Sequence, residues 1–252
     1  MPTLASLLAD WLPSQCHICR AWPSRPVCGR CLASFAPAVP RCDRCALPLP
    51  LPGQSDAPPL CGACRLSPPP MRLTRVALPY AWPWTALIAR LKFHQDVGMA
   101  VTLAGLLRQA PGVAALLREA DGAAPVPTAL PRLIQRGYNP AWLLARHLGA
   151  RRAWPDALLR PTDGPAQHTL KRADRLARVQ NAFVPNPARA AALKGCHILL
   201  IDDVMTTGAT VSAAASALLR GGAAQVSVLA LARTAPGEAA APPPALPAYE
   251  YA

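Results

Sequence analysis

Four Cys-x-x-Cys pairs crowd the first 64 residues: Cys16/Cys19, Cys28/Cys31, Cys42/Cys45 and Cys61/Cys64. A turn of this spacing presents two thiolates on one knuckle. A tetrahedral zinc ion takes four sulfurs at ~2.3 Å, so two knuckles close one site and four close two. Sequential pairing sets Cys16, Cys19, Cys28 and Cys31 against Cys42, Cys45, Cys61 and Cys64; a crossed pairing of the first knuckle with the third satisfies the same spacing. The alternative, four independent redox dithiols, would need four separate partners. His17 has the chemistry of a ligand, but eight cysteines already fill both sites. Two closed sites imply a structural or docking role rather than catalysis. Through about residue 75 the chain is rich in proline and has little hydrophobic periodicity, so it needs such staples to fold. In a cytoplasmic chain this spacing speaks for metal rather than disulfides. Residues 1–75 hold eight Arg and three Asp. A zinc ion with four thiolates carries −2, so the loaded segment is close to neutral and is not itself a basic clamp.

The texture changes after Ser67-Pro68-Pro69-Pro70. The expected division is a cysteine-rich double zinc-ribbon module over 1–70, an α/β domain over 71–235 and a disordered Pro/Ala-rich tail over 236–252. Apolar residues make up 52% of the chain, enough for a packed core. The patterning predicts a strand over 73–80 and a helix over 84–93 with Leu87, Ile88 and Leu91 on one side. It predicts helix over 100–118, broken near Pro111-Gly112, and a short extended piece at 125–127. Pro140 opens a further helix to 148, with Gly149 after its end. Residues 161–182 are polar and basic and read as a loop. A buried strand over 197–203 ends in two acids, a helix follows over 211–220, and a strand over 225–231. This is a parallel α/β arrangement. No apolar run approaches the ~18–20 residues of a membrane span. The first residues lack the positive region of a signal peptide, so the expected location is cytoplasmic.

Residues 198–210 carry the clearest chemistry. The apolar Ile198-Leu199-Leu200-Ile201 leads into Asp202-Asp203, then Val204-Met205-Thr206-Thr207-Gly208-Ala209-Thr210 and a helix. Backbone N–H groups of residues 206–210, the threonine hydroxyls and the helix N-terminus make an anion nest suited to a phosphate. Two carboxylates beside it are acceptors suited to the hydroxyls of a ribose, and both are expected to stand exposed at the strand end. No G-x-x-x-x-G-K-[ST] is present, so this is not a Walker-type nucleotide site.

This segment resembles the phosphoribosyl pyrophosphate signature of type I phosphoribosyltransferases. By that resemblance Asp202 and Asp203 hold the ribose 2′- and 3′-hydroxyls, and Met205, Thr206, Thr207, Gly208, Ala209 and Thr210 wrap the 5′-phosphate. Further stretches are similar to the ComF competence family: Leu91-Lys92-Phe93, Pro125-Val126-Pro127, Pro131-Arg132 through Arg136-Gly137-Tyr138-Asn139, and Gln167-His168 through Arg172, Arg175 and Arg178 to Asn181-Ala182-Phe183. With the cysteine module the resemblance spans roughly residues 12–234. It implies a type I phosphoribosyltransferase-like parallel sheet flanked by helices, behind a small double zinc ribbon. It also implies phosphoribosyl pyrophosphate as ligand, Mg²⁺ alongside it and a place in DNA uptake.

Residues 132–178 hold nine Arg and one Lys against three Asp, within a chain of net charge +13. By the resemblance, Arg132 and Arg136 fall at the pyrophosphate loop, and Arg172 and Arg175 on a mobile catalytic loop. His168 is a candidate acid or base near the acceptor. Three functions remain open. One is an enzyme that transfers phosphoribose to an unidentified acceptor with release of pyrophosphate. Another is a non-catalytic single-stranded-DNA-binding factor, working with other DNA-uptake proteins, that keeps the sugar site as sensor or scaffold. The third is a zinc-linked adaptor. Trp82, Trp84 and Trp142 serve either as stacking platforms for bases or as core.

Overall fold

A computed structural model describes residues 14–50, 58–161 and 182–235. Two short helices begin inside cysteine knuckles, α1 (Gly29–Phe35) and α2 (Gly62–Leu66), each with the knuckle's first cysteine at its N-cap. Strand β1 (Thr74–Pro79) leads into α3 (Trp84–Phe93), α4 (Met99–Gln109) and α5 (Val113–Glu119). After β2 (Gly122–Pro125) come α6 (Leu130–Arg136) and α7 (Pro140–His147), then the short β3 (Leu158–Leu159) and β4 (Val184–Pro185). A 3₁₀ turn at Pro187–Arg189 and α8 (Ala190–Leu193) precede β5 (His197–Met205), α9 (Ala209–Arg220) and β6 (Gln225–Arg233).

The main sheet has the order β1-β6-β5-β2 and every pairing in it is parallel. β3 and β4 form a separate antiparallel ladder. Parallel strands need cover on both faces, and the alternation along β5 and β6 shows how it is provided. Leu199, Ile201, Leu229 and Leu231 share one buried cluster with Trp84, Leu91, Leu103 and Leu144 from α3, α4 and α7. Ile198, Leu200, Val226 and Val228 share the other with Val211, Ala214 and Leu218 from α9. Carboxyl ends of all four strands therefore lie along one edge, where open α/β sheets bind ligands.

The expected elements appear with shifted ends. The helix over 84–93 has the expected bounds, and the 100–118 segment divides around Gly112, whose φ is +77°. β2 begins three residues before the expected extended piece. Its Gly-Ala-Ala run has little strand propensity of its own, and burial against β5 makes it a strand. Helix α6 was not expected, because none of its residues is buried and it carries no core-facing stripe. The loop expected over 161–182 lies almost wholly outside the described residues, and so does the tail from 236. Among the described residues no single helix is long and apolar enough to cross a membrane.

The two cysteine ribbons straddle the sheet. Cys16, Val27 and Cys31 belong to the cluster on the α3/α4/α7 face, where the Trp84 indole N–H donates to the Phe35 carbonyl at 2.8 Å. Ala46 belongs to the α9 face, with Cys45 packed against it. The second ribbon is also tied to β1. Thr74 donates its backbone N–H to the Asp43 carbonyl and its hydroxyl to the Arg44 carbonyl, both at 2.7 Å, and Arg75 meets the Asp43 carboxylate at 2.7 Å. Each ribbon thus closes part of a face that the helices leave open. Elemental analysis of the purified protein is expected to find two zinc ions per chain. Stripping them with a strong chelator should lower the melting temperature of the whole chain, not only of its first segment. An unchanged upper transition in calorimetry would overturn this.

Candidate functional site

Among the described residues two groups of metal-ligating side chains stand out, Cys16, Cys19, Cys28 and Cys31, and Cys42, Cys45, Cys61 and Cys64. Pairing is therefore sequential rather than crossed. Within each group the sulfurs lie within 4.8 Å of one another. A tetrahedron with ~2.3 Å zinc–sulfur bonds has edges of about 3.8 Å. Sulfur separations of 3.6 Å for Cys19–Cys28, 3.6 Å for Cys45–Cys61 and 4.0 Å for Cys16–Cys31 fit that figure. Backbone N–H groups of Cys28 and Cys31 point at the Cys16 and Cys28 sulfurs at 3.4 Å, as thiolate acceptors require. Burial opposes ionisation of Cys16 and Cys42, yet backbone N–H groups outweigh it and bring these thiols down to about 6 and about 7. Burial and neighbouring thiols push Cys31 up to about 12 and Cys45 up to about 11. A metal must displace those protons, so zinc affinity rises with pH. Both clusters fit structural zinc. His17 is not in either ligand set; its ring lies 3.4 Å from Arg90 on α3, which pairs with Asp96.

Near the carboxyl end of β5 the strand carries its two acids between the buried Ile201 and the buried Met205. Neither acid stands exposed as expected. Asp203 is held by Lys92 of α3, Nζ to Oδ1 at 2.7 Å, with both side chains about five-sixths buried. Asp202 accepts the backbone N–H of Asp203 at 2.9 Å. Burial, and then the Asp203 charge, push the Asp202 carboxyl up to about 8, against the opposing pull of Lys92. Burial therefore favours the protonated form of this acid. Lys92 is one of three lysines in a chain with 23 arginines, a bias that marks it in the sequence.

The loop after β5 turns on Gly208, at φ +85°, where an L side chain would be strained. No side chain caps α9 there; the Thr207 hydroxyl accepts the Ala209 N–H at 3.3 Å, and the first turn holds no acid. Thr206, Thr207, Ala209 and Thr210 are exposed, and a 12-residue helix directs its positive end at them. Met205 is different: its side chain is buried, and its backbone carbonyl accepts from Arg233 and Thr234. It anchors the loop from within.

Helix α6 follows β2 at the same edge of the sheet. Arg132 is exposed on it, and Arg136 lies over the Phe93 ring, 4.9 Å from its centre, beside Lys92 in sequence. Arg172, Arg175 and His168 lie outside the described residues. Of the three tryptophans, Trp84 is core, Trp142 half-buried and Trp82 exposed against Phe35. Lys92 and Arg233 are the functional candidates that the sequence reading did not assign a role.

Residues 136–244 match the family model described as phosphoribosyl transferase domain. A DNA utilization protein YhgH of Salmonella typhi is 33% identical over 234 residues, covering 88% of this chain and 98% of that protein. A competence protein F of Haemophilus influenzae is 30% identical over 179 residues, 69% of this chain and 78% of that one. Among solved structures, a purine phosphoribosyltransferase from Pyrococcus horikoshii aligns with a TM-score of 0.30 at 20% identity, over 56% of this chain and 75% of that one.

The raised Asp202 carboxyl has a measurable consequence. Between its ordinary range near 4 and its folded value of about 8, the unfolded state ionises and the folded state does not. Stability therefore falls as pH rises through that window. Asp202→Asn should raise the melting temperature at pH 7.5, by about 2–4 °C for each kcal/mol relieved. The gain should vanish near pH 4. Thermal melts at both pH values check this; a gain of equal size at both would exclude the titration of Asp202 as its cause.

Proposed function

Because this chain belongs to the ComF family, we propose that the β5–α9 loop and its acid pair bind phosphoribosyl pyrophosphate and that the protein transfers phosphoribose to an acceptor in DNA utilization. One observation carries the reading: two carboxyls near the end of a buried strand are followed, through a short loop, by a helix N-terminus whose Gly208 cap offers no side chain, at the ligand-binding edge of a parallel sheet. Thr206, Thr207, Ala209 and Thr210 take the 5′-phosphate through hydroxyl and backbone donors. Asp202 and Asp203 take the ribose hydroxyls, which requires Lys92 to share or release Asp203. Arg132 and Arg136 serve the departing pyrophosphate, and the family resemblance assigns Arg172 and Arg175, outside the described residues, to the same task. Mg²⁺, when bound with the sugar pyrophosphate, supplies charge neutralisation for the leaving group. An acceptor lone pair forms a bond to ribose C1, the C1–pyrophosphate bond breaks with its electrons leaving on pyrophosphate, and the acceptor loses a proton. The protein contributes position and preorganised charge. The work is assigned to the cytoplasm.

A second reading is a non-catalytic factor for single-stranded DNA. It draws on Trp22 and Trp82, 64% and 63% exposed, and on the arginine-rich 132–178 segment. Here the sugar site serves as sensor or scaffold.

Phosphoribosyl pyrophosphate with Mg²⁺, at about 100 times its Kd, is expected to raise the melting temperature by about 5–10 °C. Asp202→Ala with Asp203→Ala should abolish the shift, and retention of full affinity would refute the assignment. Pyrophosphate release measured over a panel of acceptors, single-stranded DNA included, tests for turnover. Arg151→Glu with Arg152→Glu, both exposed, should weaken oligonucleotide binding and spare the sugar phosphate. No oligonucleotide binding by the unaltered protein at low salt removes the second reading.

A further inference from the structure

Arg233 ends β6 with only 4% of its surface exposed. Its guanidinium faces two elements at once. Nε donates to the Cys45 carbonyl at 3.1 Å, within the second cysteine cluster. A terminal nitrogen donates to the Met205 carbonyl, also at 3.1 Å, where the loop begins. That nitrogen lies 3.4 Å from the Thr234 hydroxyl, which donates in turn to the Thr206 carbonyl at 3.4 Å. The Thr234 backbone N–H reaches Met205 as well, at 3.2 Å. A single planar fork therefore spans the gap between a metal knuckle and the first two residues of the loop.

Charge points the same way. A buried guanidinium without a counter-charge is costly. Among the described residues no carboxylate pairs with Arg233. Its Nε instead sits against the Cys45 knuckle of the second cysteine cluster. With zinc bound, four thiolates leave that cluster at −2, so the metal centre is the counter-charge of Arg233.

We propose that Arg233 is a positioning residue that couples the second cysteine cluster to the β5–α9 loop, so that metal held by the cluster sets the loop's geometry and its affinity for a sugar phosphate. The affinity clause rests on the reading of the loop as a phosphate site. Loss of the metal loosens the Cys45 knuckle and removes the counter-charge, which frees the Met205 and Thr206 carbonyls. Linkage makes the effect reciprocal: a ligand that orders the loop holds the cluster more tightly.

The test uses the full metal-loaded chain and the variants Arg233→Gln and Arg233→Lys. Lysine keeps the charge but replaces the planar fork, whose two nitrogens reach the two carbonyls separately, with donors on a single nitrogen. Hydrogen exchange is followed over residues 205–210 and, as a reference, over residues 16–31 of the first ribbon. Exchange in the loop is expected to quicken about tenfold in both variants, as loss of a charged hydrogen bond implies, with the reference unchanged. Unchanged loop exchange in Arg233→Lys overturns the coupling, and this variant carries the test should Arg233→Gln not fold. In the unaltered protein, saturating phosphoribosyl pyrophosphate with Mg²⁺ should slow alkylation of Cys45 and Cys61 about tenfold relative to Cys19 and Cys28, within the usual span of such couplings. Equal slowing of both clusters, or none in protein that binds the sugar phosphate, also overturns it. Absence of sugar phosphate binding by the unaltered protein removes the affinity clause alone, because the exchange comparison needs no ligand.

Discussion

A parallel sheet has no face that water can share, and the rest of this molecule follows from the need to cover two. Alternate residues of β5 and β6 are apolar in both directions, so Ile198 and Leu200 need a wall on one side and Leu199 and Ile201 on the other. Helices supply most of it. The remainder comes from a segment too proline-rich to hold a shape by apolar burial, and two four-sulfur clusters give it that shape. The ribbons are less an appendage than two further panels of the core, one on each face. Trp84, fully buried, donates its indole N–H to a ribbon carbonyl.

The same demand explains where the candidate site lies. Cover thins where β5 passes Ile201, before Met205 is buried again, and the strand places its two carboxyls there. They are still too deep to be simply solvated. One is paired with Lys92, and burial favours the protonated form of the other. Such arrangements cost stability and persist where they serve binding or catalysis.

Much of this was legible in the sequence, for stated reasons. Cysteine spacing carries ligand geometry within the four residues of each knuckle, so the clusters could be read, though not their pairing, which depends on the path between knuckles. The strand at 197–205 announces itself because burial on both faces leaves an unbroken apolar run. Strand β2 does not, since Gly-Ala-Ala becomes extended only through its neighbour. Helix α6 buries nothing and so writes no periodic stripe. The acids were found, but their surroundings were not, because Lys92, which pairs with Asp203, lies more than a hundred residues away in sequence. Arg233 was hidden for a similar reason: a charged residue closing an apolar strand reads as a solvated end until the ribbon that covers it is in place.

The clasp of Lys92 on Asp203 also bears on how the resting site is seen from a distance. Two adjacent carboxylates would ordinarily project a negative field outward from the edge of the sheet. Here one is paired with an ammonium at 2.7 Å, and burial pushes the other toward its protonated form. What remains at long range is the positive end of α9 and the arginines of α6. A polyanion diffusing toward this edge meets attraction throughout its approach and encounters the acids only at contact range, once the lysine has somewhere else to place its charge.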